Sequence, residues 1–164
     1  AKGSFYRYFE GKADLLETAV RPIREVVAGL LRETLEAIAP ARPDNDEMAT
    51  RAYLHLGAEL GMALMAHSDL ARLYLQESRG AASEARAPIV ALADTISAGA
   101  IAISERAESL GIQATECPVV SALTVVGTAE IMAHRLLTGR DIGGDPATVA
   151  SGVVGIILDG IRPG

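Results

Sequence analysis

From Lys12 to Ala39 the apolar side chains Leu15, Leu16, Ala19, Ile23, Val26, Val27, Leu30, Leu31, Leu35 and Ile38 recur three and four residues apart. Glu17, Arg24, Glu25, Arg32, Glu33 and Glu36 fill the intervals. A half-buried strand alternates every second residue, so this pattern fits only a long amphipathic helix with one apolar stripe. Pro22 falls inside it, removes one backbone donor and is expected to bend it, either as a hinge or as a tolerated curve. A stripe of that length needs partners, and the rest of the chain reads as more helices.

Pro40, Pro43 and Asp44-Asn45-Asp46 form a loop with helix-start chemistry at its end. A second helix runs to about His67. Met48, Ala52, Tyr53, Leu54, Leu56, Leu60, Met62, Leu64 and Met65 make it apolar over much of its circumference, so it is expected at the centre. Ser68-Asp69 opens a short helix to about Glu77, and residues 80–83 read as a loop. Pro88 suits the first turn of a helix to about Leu110, which Gly111 ends. Thr115 or Glu116 begins the next, with Pro118 in its first turn. After a turn over residues 139–146, Asp145 caps a last helix to about Arg162. The run Val153-Val154-Gly155-Ile156-Ile157 has strand-like composition but no hairpin partner, so it is read as helix. The fold class expected is all-α.

A chain of 164 residues, 49% hydrophobic, is long enough for one domain with its own core. A single cysteine, Cys117, excludes an internal disulfide framework. It is expected to be a small buried apolar side chain. No signal peptide is visible, and there is no run of about eighteen uncharged apolar residues, so no membrane span is expected. Catalytic and metal-binding constellations are absent from the sequence: His55, His67 and His134 are isolated, and no phosphate loop, zinc spacing or nucleophile elbow occurs. Neither enzymatic activity nor a cofactor is therefore expected.

Four of the six aromatic residues sit within five positions, Phe5, Tyr6, Tyr8 and Phe9. Lys2, Arg7 and Lys12 against Glu10 give residues 1–12 a net charge of +2 in a chain of −6, so the remainder carries −8. Phe5 and Phe9, four apart, share one face, while Ser4, Arg7 and Tyr8 lie on the other side. Small Gly3 and Ser4 let a backbone approach a DNA groove. Hydroxyl and basic side chains are the usual donors to phosphate. An acidic body repels phosphate, so any nucleic-acid contact belongs to this N-terminal run.

The stretch from Lys2 to Val20, KGSFYRYFEGKADLLETAV, resembles the end of the DNA-binding domain of TetR-type transcriptional regulators. The resemblance rests on Gly3, Ser4, Phe5, Tyr6, Tyr8, Phe9, Gly11, Lys12, Asp14, Leu15 and Leu16. Ala1 departs from it, standing where the family often has a Ser or Thr cap. Beyond this stretch the likeness is only in helix order and in strings such as residues 69–75. The resemblance implies a TetR-like helical bundle, with residues 1–12 ending the DNA-binding domain and residues 13–164 forming the ligand-binding and dimerisation domain. It implies that Lys2, Gly3, Ser4, Tyr6, Arg7, Tyr8 and Lys12 face operator DNA in the full-length protein. A helix-turn-helix needs its first helices, so residues 1–10 are expected to be poorly ordered or repacked here, and this chain alone is not expected to bind operator DNA.

The same resemblance implies a small, mostly apolar effector bound between the central helices, with Tyr53, Leu56, Leu60, Met65, Tyr74, Thr95, Met132 and His134 as candidate contacts. It implies a homodimer through the last two helices, with Val119, Leu123, Val126, Val153, Ile156 and Ile157 at the interface. A ligand-responsive repressor in the bacterial cytoplasm follows. Two other readings suit the same pattern: an all-helical enzyme or carrier with a hydrophobic cavity, and a purely structural helical dimer.

Overall fold

The computed structural model describes residues 8–44, 47–81, 83–113, 117–145, 148–149 and 151–155. Among these, five long helices appear: α1 (Lys12–Ile38), α2 (Glu47–Ala66), α3 (Ser68–Glu77), α4 (Ala87–Ser109) and α5 (Pro118–Leu137). A 3-10 turn, Glu84–Arg86, leads into α4. Residues 148–149 and 151–155 are also helical, and no strand occurs among the described residues. The chain is all-α.

Local chemistry explains most of the boundaries. Pro88 lies in the first turn of α4 and Pro118 opens α5, where a missing N–H costs nothing. Gly111 and Gly139 follow α4 and α5 in the left-handed region, with φ of 72° and 68°. At each, two hydrogen bonds close the helix end. Gly111 donates to the Glu108 carbonyl and Ile112 to that of Ala107. Gly139 donates to Leu136 and Arg140 to Arg135. This pairing satisfies carbonyls the helix itself leaves open. Asp145 accepts the Thr148 N–H (3.1 Å) and hydroxyl (2.5 Å), which caps the helical segment that follows.

α1 is helical on both sides of Pro22. It buries Leu16, Val20, Val27, Leu31, Thr34 and Ile38, a single stripe at helical spacing. α4 lies along that stripe in the same direction. Near the start of both helices, Val20 packs with Tyr74 of α3 and with Ile89 and Leu92. Further along, Val27, Leu31 and Ile38 pack with Ala49 and Ala52 of α2 and with Ile103 and Ala107. Ile96 borders both clusters. α5 packs against α4, and α3 reaches α5.

The helix over 48–67, expected at the centre from its apolar circumference, lies instead at the edge. α2 buries only Ala49 and Ala52, while Met48, Leu54, Met62 and Met65 are exposed. The central place goes to α4, which carries small residues where it meets α1. Apolarity around a helix says that it can be buried, but close approach decides which helix is. Cys117, expected to be buried, is exposed. It precedes Pro118, which holds it in extended backbone (φ −148°, ψ 91°) outside the first turn of α5.

Glu84–Ser109 and Pro118–Leu137 are each long and apolar enough to cross a membrane by length and composition, with mean hydropathy of 1.6 and 1.2. Packing against α1 and α5 buries only part of α4, 28% of its most apolar stretch. In α5 most of the apolar surface is left open.

Candidate functional site

At the N-terminal end, Tyr8 is 74% exposed and Lys12, the first residue of α1, is also exposed. Asp14 reaches back to accept the Glu10 N–H (3.1 Å), and the Leu15 N–H donates to the Gly11 carbonyl (3.2 Å), so the entry to α1 is defined. One turn on, Arg24 grips Glu17 with two hydrogen bonds of 2.6 and 3.1 Å, and Arg21 adds a third at 3.3 Å. The Arg24 hydrogen bond holds the Glu17 carboxyl below its usual range, against a smaller effect of burial. Of the residues expected to face DNA, Tyr8 and Lys12 are thus both exposed. Lys2, Gly3, Ser4, Tyr6 and Arg7 lie outside the described residues, as does most of the segment 1–10 that was expected to be poorly ordered.

Between α3 and α5 lies an open cleft of about 310 Å³ lined by Leu75, Arg79, Glu130, Ile131, His134, Arg135 and Arg140. Its floor is built by two long-range contacts. The hydroxyl of buried Tyr74 donates to Glu130 Oε1 at 2.5 Å, and Arg79 Nη2 donates to Glu130 Oε2 at 2.9 Å. The loop bearing Arg79 is itself clasped. Arg86 donates to the Glu77 carboxylate (2.5 Å) and to the Ala81 carbonyl (2.8 Å). On the far wall, Arg135 donates twice to the Asp141 carbonyl, at 2.6 and 3.0 Å, which folds the turn after α5 back on the helix. A second depression, lined by Ser83, Glu84, Ala87, Val90, Ala91 and Asp94, carries acidic but no basic side chains.

The eight side chains expected to contact an effector do not converge on one cavity among the described residues. Tyr53, Leu56 and Leu60 pack against the cluster at the far end of α1. The Thr95 hydroxyl donates to the Ala91 carbonyl of its own helix (2.7 Å). Met65 is exposed, and Met132 is half-buried. Tyr74 and His134 both come to the α3–α5 cleft, Tyr74 through its hydrogen bond to Glu130 and His134 as a lining residue. Arg79, Glu130, Arg135 and Arg140 were absent from the expected set. Their only sequence signal is an unusual density of Arg near the ends of α3 and α5.

Along α5, Val119, Val120 (61% exposed), Leu123 and Ile131 (55%) are open to solvent, and Val126 is half-buried. Val120, Thr124, Gly127 and Ile131 are spaced by four, three and four, so they form one stripe on the helix. Of the other residues expected at a dimer interface, Val153 is half-buried beside buried Val154. Ile156 and Ile157 lie outside the described residues.

Burial pushes the Tyr53 phenol up to about 12. Burial first, then the hydrogen bond to Glu130 and its charge, pushes Tyr74 up as well. Both phenols therefore hold their protons more tightly folded than unfolded. Their contribution is intact below pH about 10 and is lost as pH rises through the folded values. For half-buried Tyr53 the loss is about 1–2 kcal/mol once solvent screening is allowed for. Tyr53→Phe is expected to move the alkaline unfolding midpoint upward. Urea titrations at pH 9 and pH 11.5 with both chains check this, and an unchanged difference between them would refute it.

Among the described residues no three His, Cys, Asp or Glu side chains gather as a metal site. What the cleft offers is charge recognition beside two apolar side chains. No family model matches this chain, and no curated protein or solved structure matches it.

Proposed function

We propose that this chain is the effector-binding and dimerisation body of a TetR-type transcriptional regulator, a repressor released from operator DNA by a small molecule. The observation that carries this reading is that α1 links the exposed N-terminal residues Tyr8 and Lys12 to the α3–α5 cleft. Val20 of α1 packs on Tyr74, and the Tyr74 hydroxyl is held by Glu130. A ligand that engages Glu130 or its neighbours disturbs Tyr74 and, with it, the start of α1. In a dimer this changes the separation of two recognition helices, which must match half-sites about one turn of DNA apart. Linkage requires DNA to weaken effector binding by the same factor, typically ~1–3 kcal/mol.

The dimer is assigned to α5 and the helix after it. The α5 stripe of Val120, Thr124, Gly127 and Ile131, with Leu123 beside it, is largely apolar and exposes Val120, Leu123 and Ile131, and small Gly127 lets a second helix approach closely. A homodimer at micromolar concentration is the expected result of sedimentation velocity. Leu123→Glu places a charge in that contact and is expected to raise the dimer Kd at least tenfold, about 1.4 kcal/mol. A clean monomer of the unaltered chain would sink the assignment. In the full-length regulator, Lys12→Ala is expected to weaken DNA binding evenly across sequences and to reduce the salt slope by about 1. An unchanged slope would remove Lys12 from the phosphate contacts.

The exposed apolar stripe also fits the purely structural dimer. The charged cleft favours the regulator over that reading, since a dimer needs no Arg-lined cavity.

A further inference from the structure

We propose that the α3–α5 cleft binds a small organic carboxylate with a short aliphatic segment, rather than a wholly apolar molecule. The cleft concentrates positive charge on an acidic protein. Three of its seven lining residues are Arg79, Arg135 and Arg140, His134 stands among them, and Glu130 is the one acid, in a chain of net charge −6. Glu130 is already committed to Tyr74 and Arg79. Arg135 spends two donors on the Asp141 carbonyl, which fixes its guanidinium. Arg140 makes no side-chain hydrogen bond or ion pair among the described residues. The cleft therefore holds two tethered guanidinium groups, Arg79 and Arg135, and an uncommitted one, Arg140, just after α5, and such forks match a carboxylate.

The rest of the lining says what the carboxylate is attached to. Leu75 and Ile131 supply apolar surface, and Ile131 is more than half exposed. The volume, about 310 Å³, is at the small end of ligand sites and suits a short aliphatic chain. An incoming carboxylate also competes with Glu130 for Arg79. It thus acts on the same Glu130–Tyr74 bond that the regulator reading uses. That regulatory consequence rests on the regulator reading; binding itself does not.

The test is calorimetric titration and thermal unfolding of this chain with sodium octanoate below its micellar range, against octylamine and acetate. Octanoate is expected to bind at least tenfold more tightly than either and to raise Tm with concentration. The Arg79→Gln/Arg140→Gln double variant is expected to lose at least tenfold in octanoate affinity. Arg140→Glu, at an exposed position that holds no other side chain, is expected to lose as much on its own. Arg51→Gln, remote on α2 and paired among the described residues with Glu47, is expected to bind as the unaltered chain does. Octylamine binding as tightly as octanoate, acetate matching octanoate, or full affinity in Arg140→Glu would each overturn the proposal. Absence of octanoate binding in a chain that still dimerises removes this inference and leaves the regulator reading. A monomer that binds octanoate through Arg140 does the reverse.

Discussion

Ile38→Ala is expected to destabilise the chain by about 3–4 kcal/mol, a large part of the stability of a domain this size. Ile38 is fully buried, with 0% of its surface exposed, and sits where α1, α2 and α4 meet. Its neighbours Ala41, Ala49, Ala52 and Ala107 are small, so their side chains cannot extend into the space that three lost carbons leave. The loss therefore includes a cavity term beyond the transfer of apolar surface. Val26→Ala is the matched control. On the sequence it belongs to the same apolar pattern, yet it is 50% exposed. Its truncation is expected to change stability by less than about 0.5 kcal/mol. Urea unfolding of both variants checks the pair, and equal losses would mean that the burial of the α1 stripe is misassigned.

Gly99→Leu is the second large effect, expected to cost about 3 kcal/mol. Gly99 of α4 packs tightly against Leu31 of α1. A Cβ at this position would stand 2.6 Å from Leu31 Cδ1, 3.1 Å from Cγ and 3.0 Å from Leu31 Cβ. The tip of Leu31 can rotate away, but its Cβ is fixed by the helix, so the two helices must part or bend. Helix propensity works in the opposite direction and favours any replacement of a mid-helix glycine by up to about 1 kcal/mol. Overpacking of a tight crossing outweighs that gain for leucine. The compensating double variant Gly99→Leu/Leu31→Ala exchanges large and small across the contact and is expected to recover at least half of the loss. Thermal unfolding of the two single variants and the double closes the cycle. Additive losses would show that the two residues do not meet.

These two cases also mark what could be read from the chain before folding. The α1 stripe was legible because period and length leave one solution. Yet the pattern contained Val26 and Ile38 on equal terms, and only the partner helices separate them. Gly99 carried no signal at all, since a glycine inside a helix reads the same whether it faces solvent or a crossing. The placing of α2 failed for the same reason. Its apolar circumference was real, but small side chains on α4 gave that helix the closer approach to α1.

The cleft was the least legible feature. Tyr74 and His134 were named for reasons of type, while the groups that define the site are Arg79, Glu130, Arg135 and Arg140. Tyr74 and Glu130 are 56 positions apart, and Arg79 and Glu130 are 51 apart. No local pattern reports a contact across such a distance, because it depends on how two helices are set against a third.

The sequence by itself determined that this chain is helical, where most of its described helices begin and end, and which run carries its aromatic and basic residues. Those properties come from neighbours within a few positions: periodic apolar side chains, prolines in first turns, and glycines that take the left-handed conformation after a last turn. Tertiary structure alone decided that α4 and not α2 is central, that Cys117 is exposed, that α5 is left open, and that three arginines meet a tyrosine-bound glutamate in one cleft. Each of these depends on which surfaces can approach most closely, and close packing is a property of pairs of helices that no single stretch of chain contains.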